Sequence, residues 1–221
     1  MVNNTLVFFV FLRGGLWNKE VRLSSNERID FKLINQLAEE QSVVGVVTAG
    51  LEHVVDVKVP QEVLLQFIGS TLQVEQQNTL MNKFVERLNE RLRGNEIYTL
   101  LIKGQGNAQC YEKPLWRSSG DVDLLLNDSN YNVAAKMLSE EATSVEEENA
   151  YNKHLAMTID GWLVELHGTL RCGLWKSLDK ELDKVQEEIF FGGKVRSWMN
   201  GRTPVFLPAP DEDVFLCLLT Y

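Results

Sequence analysis

An α+β fold is predicted for this chain from three observations. Helical periodicity fills residues 1–95, short β-prone runs begin near residue 96, and an alternating stretch from Tyr151 to His167 is broken only by Asp160-Gly161. We therefore divide the sequence into a helical N-terminal region (1–95), a mixed sheet flanked by helices (96–207) and the start of a C-terminal helical region (208–221). With 221 residues, 44% hydrophobic and 24% charged, the chain has the composition of a globular protein with one large domain or two small ones.

The apolar run Leu6 to Leu12 is too short to cross a bilayer and lacks a basic leader and a small-residue cleavage site, so a buried helix is expected there. Ser24-x-x-Glu27 has the capping-box pattern, and Ile29, Leu33 and Leu37 recur every fourth residue, which predicts a helix over 25–41. Another helix starts near Pro60. Its series Leu80, Phe84, Leu88, Leu92 ends at Gly94, and Gly69-Ser70 marks a candidate break. Read without a function, these first residues are a packing module for the remainder of the chain.

Ile97 to Ile102 and Val122 to Leu126 are short apolar runs with the character of buried strands. The loop between them holds Tyr111, Lys113, Trp116 and Arg117 and is too long for a tight turn; loops of that length within a compact domain usually serve a function. Asp128 or Ser129 can cap a helix running to about Glu141, and the acidic stretch Ser144 to Asn149 is expected to be a solvated loop.

Asp160-Gly161 fits a two-residue type I′ hairpin turn, which sets the register on both sides. Ile159 then faces Trp162, Met157 faces Val164 and Leu155 faces Leu166, making an apolar face. The other face carries Ala156 beside Glu165 and His154 beside His167. Leu178 to Ile189 is an amphipathic helix, Met199-Asn200-Gly201-Arg202 a second hairpin turn, and Pro208, Pro210 and Asp211 open a last helix. That helix stops at Tyr221 with no C-terminal cap, so a truncated C-terminal helix, in a natural protein that continues, is expected.

The net charge of -9 argues against a protein that coats nucleic acid, since phosphate neutralisation needs a basic face. Cys110, Cys172 and Cys217 are odd in number, far apart and without C-x-x-C spacing, which fits neither a disulfide framework nor a thiolate zinc site. A reducing cytoplasm is the expected location, with no membrane partner.

Gly120-Asp121-Val122-Asp123-Leu124-Leu125-Leu126 sets two carboxylates two positions apart at the head of an apolar strand. Strand side chains alternate, so Asp121 and Asp123 share a face while Val122 anchors the other, and their Cα atoms lie roughly 7 Å apart. Both can reach shared divalent cations. An isolated Asp-x-Asp is often only a pair of solvated side chains; the glycine loop upstream and Glu165 downstream set this one apart.

The segments Leu101-Ile102-Lys103-Gly104-Gln105-Gly106, Arg117-Ser118-Ser119-Gly120-Asp121-Val122-Asp123-Leu124 and Val164-Glu165-Leu166-His167 together resemble the nucleotidyltransferase superfamily typified by DNA polymerase beta. Within it the pattern, with Leu12-Arg13-Gly14-Gly15-Leu16-Trp17, is most similar to the group of uncharacterised nucleotidyltransferases. The resemblance implies a nucleotidyltransferase-like sheet in which Asp121 and Asp123 bind two Mg2+ ions, or Mn2+ in their place, and Glu165 is the third carboxylate. It also implies that the loop Gly104, Gln105 and Gly106 cradles the phosphates of a nucleoside triphosphate. The family loop usually carries Gly-Ser or Gly-Gly. Here the pairs are Gly104-Gln105 and Gly106-Asn107, and the Gly106 alignment gives the familiar spacing to Asp121.

Several roles stay open from sequence. Glu165 could bind metal, act as a general base, or both. His167 could orient Glu165, touch the nucleotide or be a hydrogen-bonded structural residue, and His154 reads as structural. Lys103 and Arg117 could bind phosphate or neutralise the carboxylates, with the planar fork of Arg117 better matched to phosphate oxygens. Trp116 and Tyr111 could stack on a base or pack in a core or lid. The leading reading is a Mg-dependent enzyme that moves AMP from ATP to a hydroxyl of a small molecule or protein; the acidic chain argues against a long nucleic-acid acceptor. The alternatives are a non-catalytic nucleotide-binding regulatory module, which an inactive truncated chain would be, and a metal-dependent hydrolase using His154, Glu165 and His167.

Overall fold

The computed structural model describes residues 3–23 and 29–219 as backbone, with side chains up to residue 216. The chain forms two compact units: Met1–Leu80 with Cys110–Ser118, and Met81–Gln109 with Ser119–Tyr221. The division falls at residues 80 and 81, inside a helix. No helix among the described residues is long and apolar enough to cross a membrane.

The first unit is helical. Helix α1 (Asn4–Trp17) is capped by the Asn3 side chain, which accepts from the N–H groups of Thr5 and Leu6. It is amphipathic in burial rather than buried all round: Phe8 and Phe11 enter the core, whereas Leu6 and Phe9 are exposed. Helix α2 (Phe31–Glu40) starts later than the periodicity suggested, because Asp30 supplies the cap by accepting from the Leu33 N–H. The Ser24-x-x-Glu27 pattern lies outside the described residues.

Helix α3 (Val44–Glu52) is a third, unforeseen helix, and it packs against α1 through glycines. A Cβ on Gly50 would strike the Phe11 carbonyl oxygen, and one on Gly15 would strike that of Val46, so the two backbones approach more closely than any side chain would allow. Helix α4 (Gln61–Gly94) begins beside Pro60 as expected and runs unbroken past Gly69 and Ser70.

The second unit is built on a five-stranded mixed sheet. After strand β1 (Thr99–Ile102) comes a single helical turn, α5 (Gly104–Ala108), where the sequence showed only a loop. Strand β2 (Asp121–Leu126) leads into α6 (Asp128–Ser139), whose cap is Asn127 in place of Asp128 or Ser129: its side chain accepts from the Asn130 N–H. Strand β3 (Ser144–Val145) then forms part of the stretch expected to be loop.

Strands β4 (His154–Ile159) and β5 (Trp162–His167) are the foreseen hairpin, with Asp160 and Gly161 both at positive φ, 51° and 82°. Every anticipated pair is present, including Ala156 with Glu165 and His154 with His167. Helix α7 (Lys176–Phe191) is followed by a separate hairpin, β6 (Arg196–Asn200) and β7 (Thr203–Leu207), and by α8 (Pro210–Leu219). Asn200 pairs with Thr203, which makes Gly201 and Arg202 the turn residues.

The main sheet has the order β1-β2-β5-β4-β3, with β2 and β5 parallel and the other neighbours antiparallel. One face carries Leu101, Val122, Leu124, Leu155, Met157, Val164 and Leu166, packed with Phe84, Leu88 and Leu92 of α4 and with Tyr131 and Leu138 of α6. The other face carries Leu100, Ile102 and Leu125 against Leu182 and Ile189 of α7 and Leu216 of α8. Burial on both faces explains why β1 and β2 read as continuous apolar runs. The polar members of β2 and β5 share that second face.

Candidate active site

Strand alternation and sheet register together assemble the site. Asp121 and Asp123 project from one face of β2, and Asp123 pairs in register with Glu165 on the parallel neighbour β5. One carboxylate oxygen from each of Asp121, Asp123 and Glu165 lies within 4.8 Å of the others. Ala156, directly opposite Glu165 on β4, is small and leaves the carboxylate room.

Asp123 is the buried centre of this group, with none of its side chain exposed. Its Oδ1 accepts from Lys103 Nζ at 2.9 Å and lies 3.1 Å from His167 Nε2. Its Oδ2 is buried without a hydrogen-bond partner. A buried acceptor left unpaired is costly, and a cation at that oxygen would satisfy it. Glu165 Oε2 lies 3.2 Å from His154 Nε2 and 3.6 Å from His167 Nε2.

The electrostatics divide the two aspartates. Burial pushes the half-buried Asp121 carboxyl above its ordinary range, and the charges of Asp123 and Glu165 push it further. Burial also works to raise Asp123, but the hydrogen bond from His167 and the Lys103 ammonium outweigh it and hold the group below its ordinary value. The bond with His154 lowers Glu165, and the same bond raises His154. Three carboxylates that repel one another, with hard oxygen donors and one unpaired buried oxygen, fit a divalent cation such as magnesium.

Lys103 reaches Asp123 because of an unusual backbone. Its φ is 54° at the exit of β1, a left-handed conformation rare for a residue with a side chain, and Gly104 follows at φ 34°. A Cβ on Gly104 would stand 3.0 Å from Ser119 Oγ and 3.2 Å from the Asp121 carbonyl oxygen. Gly106 is equally confined, 3.0 Å from the Leu101 carbonyl oxygen. Gln105 is buried, its amide nitrogen meets Met81 Sδ at 3.3 Å, and its carbonyl accepts from Gln109 Nε2 at 3.1 Å.

Arg117 belongs to the first unit, where Nη1 donates to the Ser118 carbonyl at 3.2 Å and the guanidinium lies 6.0 Å from the Tyr111 ring centre. There Trp116 donates from Nε1 to Glu75, and Lys113 lies over the Trp116 ring while paired with Glu52. These contacts engage Trp116 and Lys113 in packing. Sequence reasoning undervalued two residues. Ser119 Oγ is buried without a hydrogen-bond partner, and His154 Nε2 lies 3.2 Å from Glu165 Oε2. The only signal for His154 was its place opposite His167 in the hairpin register.

Comparison with known proteins bears on this geometry. A family model described as "Uncharacterised nucleotidyltransferase" matches residues 27–209. Among solved structures, the chain is similar to a candidate nucleotidyltransferase from Thermotoga maritima, with 14% sequence identity and a TM-score of 0.45 over 62% of this chain and 81% of that one. No curated protein matches.

Proposed function

Because this chain belongs to the family of uncharacterised nucleotidyltransferases, we propose that it transfers a nucleoside monophosphate, AMP from ATP, to a hydroxyl of a small molecule or a protein. The acceptor hydroxyl gives up its proton to solvent as its oxygen bonds to the α-phosphorus, the bond from that phosphorus to the α–β bridging oxygen breaks, and pyrophosphate leaves. One observation carries the reading: carboxylate oxygens of Asp121, Asp123 and Glu165 converge within 4.8 Å from two strands far apart in sequence.

Asp121, Asp123 and Glu165 are the residues that would hold magnesium, or manganese in its place. Such ions, when bound, offset triphosphate charge and favour departure of pyrophosphate. The remaining roles belong to the chain itself. His167 and then Lys103 hold the Asp123 carboxyl below its ordinary value, and Lys103 adds positive charge beside the carboxylates. Gly104 and Gly106 supply backbone without side-chain bulk, so N–H groups of this turn can approach phosphate oxygens. His167 fixes the orientation of Asp123, and His154 that of Glu165. The net charge of -9 favours a small-molecule or protein acceptor over long nucleic acid.

The test is incubation with α-labelled ATP, GTP, CTP and UTP, with and without magnesium, following pyrophosphate release and label on the chain or on added hydroxyl compounds. Magnesium-dependent release is expected, strongest with ATP. Asp123→Asn should lower it at least about a hundredfold. Release by that variant at the wild-type rate would overturn the proposal.

A further inference from the structure

Glu165 also lies against a second and chemically different set of donors, two imidazoles, of which His167 turns the same Nε2 to Asp123 Oδ1 at 3.1 Å. His154 and His167 are direct partners across β4 and β5, and their ring centres lie 4.9 Å apart. Both present Nε2 to the same oxygen, Glu165 Oε2, at 3.2 and 3.6 Å. Ligand atoms of His154, Glu165 and His167 all fall within 4.8 Å of one another. Around a tetrahedral ion with bonds of about 2.0–2.1 Å, ligand atoms stand about 3.4 Å apart, close to both imidazole-to-carboxylate separations. His154 is partly open to solvent, with 36% of its side chain exposed, so an ion has a path in.

We propose that His154, Glu165 and His167 form a cation site selective for a borderline divalent ion of the zinc class, sharing Glu165 with the acidic set and so opposing magnesium there. Imidazole nitrogen suits zinc, cobalt and nickel, whereas magnesium prefers hard oxygen donors. The Asp121, Asp123 and Glu165 set is all oxygen; the His154, Glu165 and His167 set is two nitrogens and one oxygen. Because Glu165 belongs to both, an ion on the imidazole side draws its carboxylate away from the all-oxygen set. The binding half of the proposal stands apart from nucleotidyl transfer. Its consequence for turnover rests on that reading.

Cobalt(II) is the probe, since a four-coordinate cobalt ion absorbs strongly in the visible where a hexa-aquo ion does not. Titration of the metal-free full chain should give one such site per chain, bleached by one equivalent of zinc. His154→Gln and His154→Ala should each weaken cobalt binding at least about tenfold, and Asp121→Asn should leave it within about twofold. A control, His53→Gln, alters the remaining histidine of the chain and should have no effect. Manganese binding, followed by EPR, should weaken on adding one equivalent of zinc to wild type and stay unchanged in His154→Gln.

The proposal is overturned if folded His154 variants keep the wild-type cobalt spectrum and affinity, or if Asp121→Asn removes the band as completely as they do. A cobalt band without nucleotidyl transfer would refute the proposed function and leave this site standing. Transfer without a histidine-dependent band would do the reverse.

Discussion

At the scale of single residues, the carboxyls of the two aspartates of one strand are shifted in opposite directions, Asp121 up and Asp123 down. Asp121 carries a raised pKa, so its contribution to stability is complete below the unfolded value and is lost as pH rises through the folded one. At neutral pH its charge therefore opposes folding. Asp121→Asn should raise stability slightly in urea melts at pH 7 without divalent ions, the gain being damped by solvent screening of a half-exposed group, while lowering nucleotidyl transfer. A melt unchanged or weakened by the substitution would show that repulsion among Asp121, Asp123 and Glu165 is not felt. The shared face of Asp121 and Asp123 was legible in the sequence because period-two alternation sets it, whereas Glu165 joins them only through the parallel register of β5 with β2. The ion pair of Lys103 with Asp123 was not, since it depends on a left-handed backbone at a lysine, which no residue preference announces.

At the scale of elements, glycine separates what the sequence disclosed from what it hid. Gly69 looked like a break, yet α4 runs through it, and a Cβ there would meet nothing within 4 Å. Gly69→Ala should stabilise the protein by about 0.5–1 kcal/mol. Gly50 is the contrary case. Its added methyl would press on the Phe11 backbone in α1, and Gly50→Ala should cost about 2–4 kcal/mol or more by forcing α1 and α3 apart. Denaturant melts of the pair check both signs. Helix α3 itself escaped notice because Val44 to Leu51 is buried residue after residue, leaving no polar face to reveal a period. The β4–β5 hairpin was legible in full, down to Ala156 beside Glu165, since a two-residue turn at Asp160-Gly161 allows one register only.

At the scale of the whole molecule, stability acquires a pH dependence from a group distant in sequence from the carboxylates. Burial pushes Asp213 up to about 6, although Arg196 pairs with it and lowers it in part. Its favourable contribution is complete below the unfolded carboxyl value near 4 and is lost as pH rises to about 6. The stability of wild type relative to Asp213→Asn should fall over that interval by on the order of 1–2 kcal/mol, read from urea melts at pH 4, 5 and 6. A difference that stays flat would place Asp213 in ordinary solvent. The division of the chain within α4 was hidden from sequence, because Leu80, Phe84, Leu88 and Leu92 continue one periodic stripe across it. The parallel junction of β2 with β5 also bears on how the protein is made. Asp123 and His167 meet across 44 positions of chain, with α6, β3 and β4 formed between them. Closing so long a loop is slow and entropically unfavourable until the intervening pieces are in place. During synthesis, no carboxylate cluster can exist before β5 has been made and has docked, so a nascent chain shorter than that is incapable of gripping a cation with these residues.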